Sequence, residues 1–340
     1  MQKIMYQTKL SPSCKTPKYK QIIQSIINDI ERGILKVDEQ LPSINELSEE
    51  HLLARDTVER AYRELKEQGY IISVHGKGYF VASNDIKKIK VLLVFNKLSS
   101  YKKIIYYAFL KGLGEKATVD LQIHHYDAHL FEEIINKNLG KYNHYVIMPH
   151  FFHSADKGEY MPTIKRIPKE ELVILDKDLP GLEGKYLSVY QDFSKDIFKA
   201  LESVVDLLAK YQKLVLIFPF GEHYPMEIMQ GFRLFCNCYN KDFGILENTF
   251  DEVPAPGTAY LIVEETGLAD IIKKSRGLDL TLGQDIGIIS FNETTSKELL
   301  DITVVTTDFE MMGFMAATLL LERKHLKVKN PFQVIRRGSL

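Results

Sequence analysis

The chain is poor in cysteine, with three in 340 residues: Cys14, Cys236 and Cys238. Three thiols at these positions make no disulfide framework, and Cys236-x-Cys238 has no second ligand pair nearby, so they read as ordinary thiols rather than a metal site. Long apolar runs are also missing. No stretch reaches the roughly 18 apolar residues of a membrane span, and residues 1–20 are polar, without the apolar core of a secretory signal. The expectation is a cytoplasmic protein with no membrane partner, in a reducing setting that suits free thiols. Nor is there an excess of charge: 44 Lys and Arg face 45 Asp and Glu, a formal net charge of −1. The whole chain is not a polycation, so any nucleic-acid binding has to come from a local patch. Residues 1–88 hold 14 Lys and Arg against 12 Asp and Glu, which by itself does not mark them as a DNA binder. Finally, the H-E-x-x-H, G-x-S-x-G and P-loop patterns are absent, and with them the usual signs of hydrolytic or nucleotide chemistry. No catalytic residue, cofactor or metal is expected.

What is present is a globular composition, 45% hydrophobic and 26% charged, in two different patterns. In the first, Ile22, Ile26 and Ile30 repeat every fourth residue, with Ile23 and Ile27 widening the stripe, which predicts a helix stopped at Gly33. A second helix starts at Pro42-Ser43, where Ser43 and Glu46 have capping-box spacing. A short break leads to a third, with Val58, Ala61, Tyr62 and Leu65 inward and Gly69 at its end. Tyr70–Val74 and Tyr79–Val81 read as two strands around the turn His75-Gly76-Lys77-Gly78. Three helices and a hairpin, with helices two and three nearly touching in sequence, predict a winged helix-turn-helix.

The second pattern begins near Lys90. Apolar runs at Val91–Phe95, Tyr145–Met148, Leu172–Leu175, Leu214–Phe218, Ala259–Val263 and Ile286–Ser290 alternate with amphipathic stretches at 104–117, 130–139, 194–210, 225–238 and 269–274. This alternation predicts an α/β fold, a doubly wound parallel sheet system, and such sheets bind ligands at the carboxyl ends of their strands.

Residues 19–82 resemble the DNA-binding domain of the GntR family. The residues that carry the likeness are Leu41-Pro42-Ser43, Glu46-Leu47, Arg55-Asp56-Thr57-Val58, Ala61-Tyr62, Leu65, Gly69-Tyr70 and His75–Val81. The resemblance implies a homodimer on operator double-stranded DNA, with the start of helix three in the major groove and the wing in the minor groove. It assigns DNA contacts to Ser43, Asn45, Arg55, Asp56, Thr57, His75, Gly76 and Lys77. Arg55 suits guanine readout, against the plainer reading of a surface ion pair with Glu59 at i,i+4. Asn45, Ala54 and Glu59 stand where the family often has Arg, Ser or Thr, and Arg, so the usual operator sequence is not implied.

Residues 90–340 resemble the effector domain of LacI-type regulators, related to periplasmic sugar-binding proteins. The likeness rests on Gly231-Phe232, on Asp285–Glu293, on Thr303 and Asp308-Phe309 to Gly313, and on the closing Val334–Ser339. It implies a two-lobed domain closing on a small-molecule effector, with a linker at 83–89 after a winged helix at 1–82. Lobe one is expected at about 90–190 and 306–328, lobe two at about 191–305 and 329–340. The family's sugar-clamping Arg falls near Met226, its Asn-Asp pair at Glu264-Glu265 and its sugar-binding Asp at Asn292, so the site is rebuilt.

Polar residues after the strands are the candidates for ligand contact: Asn96, Tyr101, His150, Asp176, Asp192, His223, Tyr224, Glu264 and Asn292. Each has the plainer reading of a solvated loop residue. Their hydrogen-bonding arms suit sugar hydroxyls, with Phe95, Phe220 or Tyr224 available for an apolar face. The carboxylates among them and the missing Arg favour a neutral monosaccharide over a phosphorylated one. Two rival classes are disfavoured: a transport protein would not carry a winged helix, and a GntR-headed aminotransferase needs a longer cofactor domain than 250 residues. The expectation is a repressor of carbohydrate-utilisation genes.

Overall fold

The isoleucine stripe near the start forms α1 (Lys18–Glu31), which buries Ile22, Ile23, Ile26 and Ile27. The computed structural model describes residues 16–31, 34–82, 88–152, 157–220 and 224–340. Gly33 and most of the expected linker lie outside that set. Next comes α2 (Ile44–Glu50), whose cap is the predicted box: Ser43 Oγ accepts from the Glu46 N–H, and the Glu46 carboxylate accepts from the Ser43 N–H. Then α3 (Arg55–Glu67) buries Val58, Ala61, Tyr62 and Leu65. The Tyr62 hydroxyl is satisfied by donating to the Pro42 carbonyl at 2.7 Å. Antiparallel β1 (Ile71–Val74) and β2 (Gly78–Val81) close the unit. Gly76 and Gly78 sit at φ +72° and +105°, conformations that a side chain would strain, and these let the hairpin turn in three residues. This is the winged helix.

Residues 88–340 form a second unit. Its first part contains β3 (Ile89–Phe95), α4 (Ser100–Leu113), β4 (Ala117–Ile123), α5 (Ala128–Asn138), β5 (His144–Ile147), α6 (Lys157–Lys165), β6 (Leu172–Lys177) and β7 (Leu187–Gln191). Its second contains α7 (Phe193–Ser203), α8 (Val205–Leu208), β8 (Lys213–Ile217), α9 (Glu227–Cys238), β9 (Asp242–Leu246), β10 (Thr258–Ile262), α10 (Glu265–Gly277), β11 (Ile286–Phe291), α11 (Thr295–Leu299) and β12 (Thr303–Thr307). The chain then returns through α12 (Phe309–Leu321), β13 (Lys327–Lys329) and β14 (Phe332–Ile335).

The strands form two six-stranded sheets, β13-β7-β6-β5-β3-β4 and β14-β12-β11-β10-β8-β9, parallel except for the β12–β14 pair. Each sheet is covered on both faces, which is why its central strands read as unbroken apolar runs. In the first lobe, α4 and α12 pack closely: a Cβ on Gly313 would stand 2.3 Å from the Ile105 carbonyl oxygen. In the second, a Cβ on Gly231 would stand 2.3 Å from the Ser194 carbonyl oxygen, so α7 and α9 also meet at a glycine. The Arg-Gly-Ser ending stitches down lobe two. Ser339 Oγ donates to the Ile288 carbonyl and accepts from the Thr303 N–H, and Gly338 N–H donates to the Asp301 carboxylate. Three crossings join the lobes, at 191–193, 307–309 and 329–332.

Candidate functional site

On the winged helix, Arg55 and Asp56 open α3, with Ala54 as an N-cap that offers no side-chain bond. Both are exposed, as are Ser43, Asn45, His75, Gly76 and Lys77; Thr57 is half-buried. The i,i+4 ion pair on α3 is Arg60 with Glu64, 3.3 Å apart. The wing tip is held rather than loose, because Gln40 Nε2 donates to the Lys77 carbonyl at 2.7 Å. Ser43 has a structural duty in the α2 cap, which uses its oxygen and leaves its O–H to donate.

In the second unit a half-open cleft of roughly 470 Å³, part of it open to solvent, is lined from both lobes. Lobe one contributes Asn96, Lys97, Tyr101, Lys102, Tyr126, His150, Asp176, Gln191 and Phe309. Lobe two contributes Phe193, Tyr224, Pro225, Ile228, Phe291 and Asn292. Of the nine expected ligand residues, the structure brings six here: Asn96, Tyr101, His150, Asp176, Tyr224 and Asn292. His223 lies outside the described residues. Asp192 and Glu264 are not among the lining. Asp192 is instead the N-cap of α7, its carboxylate accepting from the Lys195 N–H and pairing with the Lys195 ammonium at 3.0 Å. Glu264 is the N-cap residue of α10. Chain position after a strand does not separate a cleft residue from a helix cap, since both follow the same carboxyl end. Of the expected aromatics, Phe95 belongs to the lobe-one core and Phe220 packs on Phe218; only Tyr224 lines the cleft.

The floor is a buried polar cluster. Lys102 Nζ donates to Asn96 Oδ1 at 2.6 Å and lies 3.4 Å from Asp176 Oδ2. His150 Nε2 is 2.8 Å from the same carboxylate oxygen, and Gln191 Nε2 donates to the other. Burial alone would raise the Asp176 carboxyl, but Lys102, His150 and Gln191 together hold it well below the usual carboxylate range. An ionised Asp176 accepts only, so its partner His150 Nε2 carries the proton. Burial depresses the Lys102 and His150 cations, with Asp176 opposing both shifts. Two amide oxygens are different: Gln191 Oε1 and Asn292 Oδ1 are buried with no hydrogen-bond partner. They come from opposite lobes. Tyr101 stacks on Phe309, centroids 5.0 Å apart, giving the cleft an aromatic wall.

Lys102 and the rings of Phe193, Phe291 and Phe309 were not read as cleft residues from the sequence. One signal was available. The buried stripe of α4 runs Lys102, Ile105, Phe109 and Leu113, so a lysine occupies an apolar position one turn before Ile105.

Residues 18–81 match the family described as bacterial regulatory proteins, gntR family. The chain is also 34% identical over 94 residues to the transcriptional repressor YtrA of Bacillus subtilis, covering 28% of this chain and 69% of that protein. The chain belongs to the gntR family of bacterial regulatory proteins. A second family relative, the arabinose metabolism transcriptional repressor of Geobacillus stearothermophilus, is 38% identical over 66 residues, 19% of this chain and 18% of that protein. Among solved structures, the trehalose repressor from Escherichia coli aligns with a TM-score of 0.60 at 15% identity, over 73% of this gntR-family chain and 100% of that one. The Lac repressor bound to ONPG aligns with a TM-score of 0.61 at 14% identity, over 84% and 90%. At those identities the likeness is one of fold: a gntR-type winged helix joined to a LacI-like, two-lobed domain.

Proposed function

We propose that this chain is a ligand-responsive transcriptional repressor, a homodimer that binds a two-fold operator through its winged helices and releases it when a small neutral sugar fills the cleft. The observation that carries the reading is the pair of unpartnered amide oxygens, Gln191 Oε1 and Asn292 Oδ1, in a cleft lined from both lobes. A buried acceptor without a donor costs about 1–3 kcal/mol, and hydroxyls of a sugar supply donors to both lobes at once. The aromatic wall suits the sugar's apolar face. The carboxylate of the cleft, Asp176, is already matched by Lys102, so the site does not ask for a cation. The likeness to an arabinose metabolism repressor in sequence and to a trehalose repressor in fold supports carbohydrate control. The similarity to transcriptional repressors also favours regulation over catalysis.

A two-lobed sensor closes by hinge motion, and rotation of lobe one would alter the spacing of two DNA heads on fixed half-sites. The test is a thermal-shift screen of neutral monosaccharides on the full chain, followed by gel shift on genomic fragments. The reading expects at least one sugar to raise the melting temperature and a fragment to be retained. A protein that answers to no sugar, or retains no fragment, overturns it.

A further inference from the structure

Lysine is almost never fully buried unless paired, yet Lys102 is 3% exposed. Its ammonium has three hydrogens and three acceptors: Asn96 Oδ1 at 2.6 Å, Met148 Sδ at 3.3 Å and Asp176 Oδ2 at 3.4 Å. None is left over for a ligand. Both Asp176 oxygens are likewise engaged, by His150 and Lys102 on one side and Gln191 on the other. Asp176 is held there at φ +73°, a conformation unfavourable for a residue with a side chain. The pair therefore does not grip a ligand directly; it sets the charge of the buried floor beneath the ligand.

The groups facing the pair come from each neighbouring element. They are Lys97 after β3, Tyr101 on α4, His124 after β4 and His150 after β5, with Lys177 on β6 acting through His150 and Glu265 on α10 through Tyr101. Burial keeps Tyr101 protonated and both histidines neutral. Lys97, which also lines the cleft, and Lys177 are half-buried and lie outside that floor. Among the buried groups of the floor, what remains is one cation and one anion.

We propose that Lys102 is the specificity-determining counter-ion of the cleft: by cancelling Asp176 it holds the floor at zero net charge and selects an uncharged ligand over the amino and acid analogues of the same skeleton. The selection rests on the ligand-binding reading above, whereas the counter-ion role does not. A charged ligand group set against a balanced pair loses hydration and finds no uncompensated opposite charge. Removing one member reverses this. Without Lys102 the carboxylate calls for a cation; without Asp176 the ammonium calls for an anion.

The test uses full-length Lys102→Met, Asp176→Asn and the double variant, melted by calorimetry at pH 5.5 and 8.0 beside the wild type. In Lys102→Met the lone Asp176 carboxyl rises above its unfolded value of about 3.9. Its stability is then greatest when protonated and is lost as pH rises. In Asp176→Asn the lone Lys102 falls below its unfolded value, and stability is lost as pH falls. Each single variant should melt about 10 °C lower than wild type at its unfavourable pH, and the double variant should track the wild-type profile. Loss of packing alone would lower each variant equally at both pH values, and that result overturns the counter-ion. A second arm follows thermal shifts with D-galactose, D-galactosamine and D-galacturonate, and with the glucose, arabinose and xylose counterparts. The wild type should answer to neutral sugars alone, and Lys102→Met should gain at least tenfold for an amino sugar relative to its neutral parent. A wild type that binds amino or acid sugars as well as their neutral parents overturns the selection. If the wild type binds no probe, the sugar reading fails and the two pH profiles alone decide the role of Lys102.

Discussion

The side-chain amide of Asn330 donates to Thr307 Oγ1 at 2.8 Å, tying the third crossing between the lobes to the second. The same nitrogen donates to the Asp308 carbonyl at 2.8 Å, and the Asn330 backbone N–H donates to the Tyr190 carbonyl at 2.7 Å beside the first crossing. One buried residue thus fastens all three strands of the hinge. Asn330→Ala keeps the backbone bond to Tyr190 but removes the donor to Thr307 Oγ1 and the Asp308 carbonyl, which should cost about 1–3 kcal/mol and lower the melting temperature by about 2–10 °C. Amide exchange should quicken at 307–309 and 329–331. Unchanged melting and exchange would show that the hinge does not depend on this residue.

Arg55 and Lys77 are both exposed, but they predict different losses. Arg55 sits at the start of α3, where a fork of donors can read a base edge. Arg55→Ala should therefore remove about 1–3 kcal/mol of sequence discrimination per half-site while the fold is kept. Lys77, at the wing tip, should act on the backbone, so Lys77→Ala weakens all sequences alike and flattens the salt dependence. Competition gel shifts with operator and random DNA across a salt series separate the two. Full operator preference in Arg55→Ala would mean that α3 is not the reading helix.

Two histidines predict the acid limb of stability. Burial pushes His124 and His144 down to about 4. For His144 the Arg323 and His325 charges add to it. Folded values below the unfolded value of about 6.5 mean that the unfolded chain takes up more protons between the two. Stability contributed by the neutral rings is present above pH 6.5 and is lost as pH falls towards 4. Asp176, also depressed, adds its loss only below about pH 4. Calorimetry from pH 8 to 4 should show a declining melting temperature that begins near 6.5. A flat profile down to pH 4.5 would contradict the buried neutral histidines.

Gln191 and Asn292 should carry ligand affinity, and Asp192 should not. Alanine at either amide removes an acceptor for a sugar hydroxyl, weakening binding about 10-fold or more. Asp192→Ala removes the α7 cap and should cost about 1 kcal/mol of stability with ligand affinity unchanged. Calorimetric titration against the best sugar from the screen reads both effects. Weaker binding in Asp192→Ala with the amide variants unaffected would move the site away from the cleft floor.

Much of the fold was legible because burial writes itself into period. Four of the five isoleucines of α1 and the apolar runs of the six central strands lie inside, and all stand out in the sequence. Edge strands did not. The β4 segment alternates apolar and polar residues at a half-exposed edge, and its first residue passed for the end of a helix. Threonines hid β12, where five buried residues read as Thr-Val-Val-Thr-Thr. The α12 helix, apolar on most sides, shows little amphipathic contrast. Six of nine site residues were reachable because strand ends converge on the cleft. Lys102 was not, because a lysine on a helix is read as solvated until its partner, Asp176, 74 residues away, is in view.

The most direct test of the account is a titration of the screened sugar into a preformed complex of the full chain with labelled operator DNA, followed by fluorescence anisotropy. Anisotropy should fall as the cleft fills, with DNA affinity reduced by about 5–150-fold and sugar affinity reduced by the same factor when DNA is present. A sugar that binds the complex and leaves anisotropy unchanged, or tightens it, would contradict release by ligand.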